Sequence, residues 1–395
     1  MAKRDSQPEG CATLIQPDPS FIREVRAAGG GDLKKCFQCA TCSVVCDLSP
    51  DDAPFPRKQM IAAQWGLKDR LLCDPAIWLC HNCGSCTTQC PRGARPGDVM
   101  AALRQLAIRH FAFPQFMGRL VASPKALPVL FLVPALALLA ILLWAPKGPA
   151  TPELEFANLF PIPALEALFF TVSGLAAIAF LVGVIRYLKT LRMCCPGILL
   201  NFPPVSAEIV THERFAQCDA NQGVRWGHFL VLWGFLGLAC VGTTVGIGTM
   251  AGILRTPLPW GSALKILANV CAAVILTGAV ILIKERIAGP EGTPARRAAS
   301  TYFDWLFLGT LTAVVFTGIL LQFFRLAQAA YLMYPVYFVH LVLTLALLLY
   351  APYSKFAHLA YRTVAMASTE PWIPKRQNPR RLSEQGAKHC VDFYS

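Results

Sequence analysis

The sequence predicts a mostly α protein: a soluble, cysteine-rich helical domain followed by a six-helix membrane bundle. Three observations carry that prediction. Hydrophobic residues make up 55% of the 395 and charged residues only 15%, with a mean hydropathy of +0.47, whereas about 25% charged is usual in globular domains. Six apolar runs follow Lys125, each near the ~20 residues that span a hydrocarbon layer. Nine of the sixteen cysteines fall between positions 36 and 90, in two tight repeats.

The apolar excess excludes a disordered or nucleic-acid-binding chain, although the formal net charge is +13 and the isoelectric point about 9.1. The expected organisation is an N-terminal tail over 1–20, a cytoplasmic domain over 21–119, a membrane domain over 120–358 and a basic cytoplasmic tail over 359–395. The first 20 residues are polar and lack an apolar h-region or a small-residue cleavage site, so no signal peptide is expected. Helical patterns run over 57–65 and 99–110 within the soluble part. Spans are expected at about 126–145, 161–185, 226–250, 264–283, 304–324 and 331–352. Pro128, Pro134 and Pro146 interrupt or bound the first, and an interfacial helix is its alternative.

Lysine and arginine placement orients these spans. Arg186, Lys189, Arg192, Arg214 and Arg225 follow span two, and Lys284, Arg286, Arg296 and Arg297 follow span four. The tail adds Lys355, Arg362, Lys375, Arg376, Arg380, Arg381 and Lys388, while the opposite connections hold only Lys147, Arg255, Lys265 and Arg325. Both termini are therefore expected on the cytoplasmic side of an inner membrane, with anionic lipid or acidic partner proteins as counterions.

Cys36, Cys39, Cys42 and Cys46 form a C-x2-C-x2-C-x3-C run, and Cys80, Cys83, Cys86 and Cys90 repeat it, with Pro91 following. This is the bacterial ferredoxin pattern for two 4Fe-4S clusters, in which the fourth cysteine of each run ligates the other cluster. Cluster 1 is expected on Cys36, Cys39, Cys42 and Cys90, and cluster 2 on Cys80, Cys83, Cys86 and Cys46, in an α-helical, ferredoxin-like domain. Zinc more often takes two cysteine pairs, and a reducing compartment disfavours disulfides. Cys46 is followed by Asp47 rather than proline. Cys73 reads as a buried thiol, and His81 as a partly exposed neighbour of the second cluster.

An ionisable side chain within a span is a functional candidate, and histidine is a common axial ligand of haem iron. His228 opens span three, His340 lies inside span six, His358 just beyond it, and His212 in the connection before span three. In a continuous helix His340 and His358 would share one face about 27 Å apart; Pro352 stands where it would kink or end that helix. The expectation is two haems b, pairing His228 with His340 and His212 with His358, with a single haem as the alternative. A single haem would pair His228 with His358 or His340, leaving the others structural. Gly234 and Gly237 would admit a flat macrocycle or a neighbouring helix.

These residues resemble a known combination: a 4Fe-4S domain like the C-subunit of heterodisulfide reductase, fused to a haem b membrane domain like the E-subunit of the same enzyme. The same combination is found in the membrane-subunit family of the quinone-interacting membrane-bound oxidoreductase (Qmo) complexes of sulfate reducers. The resemblance covers nearly the whole chain. It is carried by the two cysteine runs, by Phe55-Pro56-Arg57-Lys58, and by His212 to Cys218 leading into His228. The spacing of His340 and His358 is also similar to that in the respiratory nitrate reductase gamma subunit. The resemblance implies electron exchange between menaquinone and the flavin-containing cytoplasmic subunits A and B of such a complex, and beyond them adenylylsulfate reductase. Cys194 and Cys195, followed by Pro196 and Gly197, lack the wider cysteine pattern of the disulfide-cleaving subunit, so disulfide reduction is not expected.

A quinone is expected beside a haem, in an apolar cleft between spans. Glu208, Glu213 and Asp304 are candidate proton handlers, with solvated or capping roles as the alternative. A transporter with a regulatory iron–sulfur domain would need paired charges at mid-membrane, where these spans carry almost no carboxylate. An iron–sulfur anchor without haem is the other rival.

Overall fold

The computed structural model describes residues 16–50, 54–146, 154–191, 195–212, 222–288 and 301–369. Glu213, Cys194, Cys218 and the tail from 370 onward lie outside the described residues, and of Cys195 only the backbone is described. Among the described residues regular structure is helical, with no strand.

The N-terminal part is a set of short helices gathered around one long one. α1 (Pro19–Ala27) starts at Asp18, whose Oδ1 accepts from the backbone N–H of Ser20 (2.8 Å) and Phe21 (3.2 Å). α2 (Thr41–Val44), α3 (Arg57–Gln64), α4 (Lys68–Leu72), α5 (Ala76–Leu79) and α6 (Ser85–Thr88) follow. The long helix is α7 (Pro96–Phe111), which begins on a proline with its φ preset for a first turn. Its Val99, Leu103 and Leu106 recur at helical spacing on the buried face. Phe21, Val25, Met60, Leu72, Ile77 and Trp78 complete that core.

α8 (Gln115–Ala122) leads into the membrane bundle: α9 (Leu127–Trp144), α10 (Ile162–Leu191), α11 (Cys195–Thr211), α12 (Gln222–Met250), α13 (Ala263–Ala288), α14 (Tyr302–Leu326) and α15 (Ala330–Tyr350). All of these except α11 are long and apolar enough to cross a membrane, which gives the six expected spans. The helices outrun the apolar stretches because hydrogen bonding continues past the hydrocarbon boundary; α12 begins at Gln222, ahead of the expected 226. Their outer faces carry exposed Leu132, Leu175, Leu181, Val270, Val280 and Phe316. Lipid solvates so much contiguous apolar surface; water does not.

Glycines bring α12 and α13 close together. A Cβ at Gly234 would lie 2.6 Å from Ile275 Cγ1, and one at Gly278 would lie 2.7 Å from the Gly227 carbonyl oxygen. Gly234 and Gly237 thus serve contact with a neighbouring helix, the small-residue packing of membrane bundles.

Two features differ from expectation. α11 is an apolar helix too short to count as a span, with Pro203 and Pro204 inside it, in a stretch read as a connection. The helix carrying His340 ends before His358, where Pro352 was expected to kink or end it. α15 ends at Tyr350, 3₁₀ turns occupy Ala351–Tyr353 and Lys355–Ala357, and α16 (His358–Thr369) starts afresh. Pro352 has no N–H to offer the helix, which accounts for the break. Residues 359–369, read as the start of a tail, belong to α16, whose Tyr361, Ala365 and Met366 are buried.

α16 joins the two parts of the molecule. Trp78 of α5 stacks on Tyr361, Tyr187 of α10 meets both rings edge-on, and Phe111 of α7 packs on Tyr187. Gly183 of α10 leaves room for this knot, since a Cβ there would come within 2.5 Å of the Tyr361 hydroxyl. One apolar core therefore runs from Phe21 to Met366. On its other side α16 packs against α11, where Asn201 Nδ2 donates to the Ala367 carbonyl (2.9 Å).

Candidate functional site

The two cysteine runs fold into matching loops. Gln38 and Ala40 in the first, and Asn82 and Gly84 in the second, adopt left-handed φ values of 61°, 68°, 55° and 84°. Only glycine does so without strain, so the other three positions hold a shape that the loop imposes. Each loop then enters a one-turn helix, α2 or α6, bearing Cys42 or Cys86. The backbone N–H of Gln38 points at Cys36 Sγ (3.5 Å), that of Asn82 at Cys80 Sγ (3.4 Å) and that of Ala94 at Cys90 Sγ (3.3 Å). Thr41 and Ser85 hydroxyls lie 3.4 Å from Cys39 and Cys83 Sγ.

Electrostatic neighbours sort the cysteines into two sets. Burial pushes the Cys42 thiol up to about 11, with Cys36, Cys39 and Cys90 adding to the rise. Burial pushes Cys46 up to about 12, and its cysteine neighbours are Cys80 and Cys83. Cys86 is also raised by burial, and then by Cys80, Cys83, Cys46 and, least, Cys42. Cys90 is thus an electrostatic neighbour of Cys36 and Cys42, and Cys46 of Cys80, Cys83 and Cys86. Among the described residues, no three His, Cys, Asp or Glu side chains converge on a point fit for a single metal ion. Thiols raised in this way become thiolates only beside compensating positive charge, and four per set is the donor count of a 4Fe-4S cluster.

A cavity of about 250 Å³ opens beside the second loop. Cys80, His81 and Asn82 line it together with His212, His228 and His358, as do the cations Arg104, Arg286, Lys355 and Arg362. His228 and His358 rings stand 5.9 Å apart, centroid to centroid, at an interplanar angle of 79°. His358 Nδ1 lies 2.5 Å from the Lys355 carbonyl oxygen, so it donates and Nε2 carries the lone pair. His212 Nδ1 faces the Val210 carbonyl at 3.5 Å, and its Nε2 lies 2.7 Å from His228 Nδ1. Burial lowers the affinity of His212 for a proton, and because a carbonyl only accepts, Nδ1 is the donor toward Val210. Its Nε2 then accepts from His228 Nδ1–H, which makes Nε2 the lone-pair nitrogen of His228 as well. Burial likewise pushes His358 down to about 4.

His340 is placed elsewhere. Its Nδ1 is 2.9 Å from Thr317 Oγ1 on α14, and its Cε1 packs over Gly318. Among the described residues its ring meets no histidine, whereas His228 meets two. Asp304 accepts from the Thr301 backbone N–H (3.0 Å) as a capping residue of α14 and is also paired with Lys355 and Arg286. Glu208 lines the cavity.

Comparison with known proteins places the first part of the chain. Residues 32–94 match the family model described as a 4Fe-4S dicluster domain. The N-terminal region is a 4Fe-4S dicluster domain. It is 41% identical over 93 residues to the C-subunit of H(2):CoB-CoM heterodisulfide,ferredoxin reductase of Methanothermobacter thermautotrophicus, covering 23% of this chain and 50% of that protein. An Archaeoglobus profundus protein, named as like the C-subunit of heterodisulfide reductase, is 37% identical over 89 residues, 22% of this chain and 47% of that protein. The C-subunit of ferredoxin:CoB-CoM heterodisulfide reductase of Methanosarcina mazei is 34% identical over 90 residues, 22% and 54% respectively. The chain spans about half the length of the curated relatives it matches. No solved structure matches.

Sequence reading missed several residues around the dicluster domain. His81, expected to be partly exposed, is buried and accepts from Arg362 Nη2 at 2.5 Å. Arg104 donates to the carbonyls of Ile77 (3.0 Å) and Cys80 (3.2 Å). Arg362 stood out along the sequence only as a topogenic charge. Its i+4 spacing from His358 was the available signal, because it puts both on one face of a helix.

Proposed function

We propose that this chain is the membrane electron-transfer subunit of a quinone oxidoreductase complex. It exchanges electrons between menaquinone and cytoplasmic flavoprotein partners through haem b and two 4Fe-4S clusters. The observation that carries this reading is the cavity shared by Cys80, His81 and Asn82 with His228 and His358. In this reading Cys36, Cys39, Cys42 and Cys90 hold cluster 1, and Cys46, Cys80, Cys83 and Cys86 hold cluster 2. His228 and His358 hold haem iron through Nε2, and His212 orients His228, as the outer hydrogen bond of a metal-ligating histidine does.

One haem b is favoured over two, because the His340 ring rests on Thr317 and Gly318 rather than beside another histidine. The chemistry of the lining suits the group: Val231, Leu282, Phe307 and Leu308 are apolar, as a macrocycle would need, and Arg104, Arg286, Lys355 and Arg362 could pair with its carboxylates. When bound, haem and clusters supply one-electron transfer, while the quinone carries two electrons. The chain's own contribution is to hold these groups close together and shield them from water. Relatives named as reductase subunits support assembly with partner proteins. Menaquinone, flavin-containing subunits A and B, and adenylylsulfate reductase rest on the family resemblance. The Lys/Arg bias supports cytoplasmic termini at the end that carries the cysteines.

The test is an absorption spectrum of the purified full-length protein, followed by reduction with a menaquinol analogue. Reducible b-type bands together with cluster signals are expected. An intact preparation with cluster signals and no b-type bands would leave an iron–sulfur anchor and remove the haem and quinone chemistry.

A further inference from the structure

Arg362 connects the two halves of the proposed electron path. It stands four residues after His358 on α16, and so on the same face of the helix. Its Nη2 reaches His81 Nε2, the side chain inserted between Cys80 and Asn82 of the second cysteine loop. His81 is buried, and both residues line the cavity that His228 and His358 face. A short helix stiffened by backbone hydrogen bonds therefore carries a histidine of the cavity at its first residue and the contact to the cluster loop one turn later. The stacked Trp78 and Tyr361 rings lie alongside this contact and limit sliding of α5 on α16.

We propose that Arg362 is a positioning residue for electron transfer: through His81 it sets the separation between the second cysteine set and the histidine cavity, and it places a positive charge between them. The proposal rests on the haem reading above. A guanidinium suits the task because it is always charged and its rigid donor fork fixes direction as well as distance. Arg104, held by the carbonyls of Ile77 and Cys80, adds a second cation lining the same cavity. A cation between two centres that gain negative charge on reduction favours the reduced forms of both.

The experiment uses full-length protein in detergent, with potentiometric titration of the haem bands and of the cluster electron paramagnetic resonance signals. Haem reduction is also timed after photoreduction of the clusters by deazaflavin. Arg362→Gln is expected to keep both cofactors, slow haem reduction at least tenfold, and shift the second cluster and haem to more negative potentials. That shift corresponds to about a tenfold change in the one-electron equilibrium, or about 59 mV. Arg362→Lys is expected to restore the potentials but not the rate. If Arg362→Gln loses a cofactor, His81→Leu decides instead: it removes the acceptor and keeps the charge, so slowed transfer supports the proposal and a wild-type rate overturns it. Full cofactor content in Arg362→Gln with unmoved potentials and a rate within twofold of wild type overturns the proposal alone. Wild-type protein without b-type bands overturns the haem reading and this proposal with it.

Discussion

Trp78 lies nearly flat on Tyr361, ring centroids 5.3 Å apart and planes 23° from parallel, although one belongs to the dicluster domain and the other follows the last membrane span. This contact, closed by Tyr187 and Phe111, seats the second cysteine loop over the histidine cavity. Trp78→Ala is expected to destabilise the junction by about 3–5 kcal/mol, the range for truncating a buried aromatic. A drop in the thermal midpoint of the detergent-solubilised protein checks it. Unchanged melting would mean that the two parts do not depend on this contact.

The histidines separate by role. His228→Ala and His358→Ala are each expected to abolish b-type absorption while cluster signals persist. His340→Ala should retain it, because that ring is engaged with Thr317. His212→Ala is expected to weaken haem retention by about 10–100-fold, the usual effect of removing an outer hydrogen-bond partner. Haem titration of the four variants measures all of this, and loss of haem only in His340→Ala would reverse the assignment.

The interleaved cysteines make a pairwise prediction. Cys42→Ser and Cys90→Ser should damage the same cluster signal, despite lying in different runs, and Cys46→Ser and Cys86→Ser the other. Iron content and electron paramagnetic resonance of the four proteins decide it. Pairing of Cys42 with Cys46 instead would mean that each run closes its own cluster.

Burial of His358 gives the cofactor-free protein a pH dependence. Its proton affinity falls from an ordinary 6.5 to about 4 on folding, so the unfolded chain binds more protons between those values. Stability is complete above pH 6.5 and is lost as pH falls toward 4, by up to about 3 kcal/mol. Thermal midpoints of the cofactor-free protein across this range should show that slope, and His358→Leu should reduce it.

Much of this was legible along the chain. Six apolar runs became six long helices because span length and hydropathy are properties of consecutive residues. The two cysteine loops were visible for the same reason: a C-x2-C-x2-C-x3-C run needs only its own turns to form. The C-terminal end of α15 was legible only in part: the eighteen-residue spacing puts His340 and His358 on one face only if the helix continues, and Pro352 stood where it would end. Pro352 marks the break, but where the chain goes after it is settled by packing of Tyr353, Ala357 and Tyr361 into the shared core.

Composition and spacing alone pointed to six apolar helices long enough to cross a membrane and a cysteine-rich N-terminal domain, since each of those signals is local. They left open which imidazoles would meet. That His228 faces His358 while His340 turns to Thr317, and that Arg362 reaches His81 across 281 positions, came from how α16 folds back against α5, α10 and α11. Side chains so distant in the chain become neighbours only when burial of intervening apolar surface brings their helices together, and no short-range pattern encodes that choice.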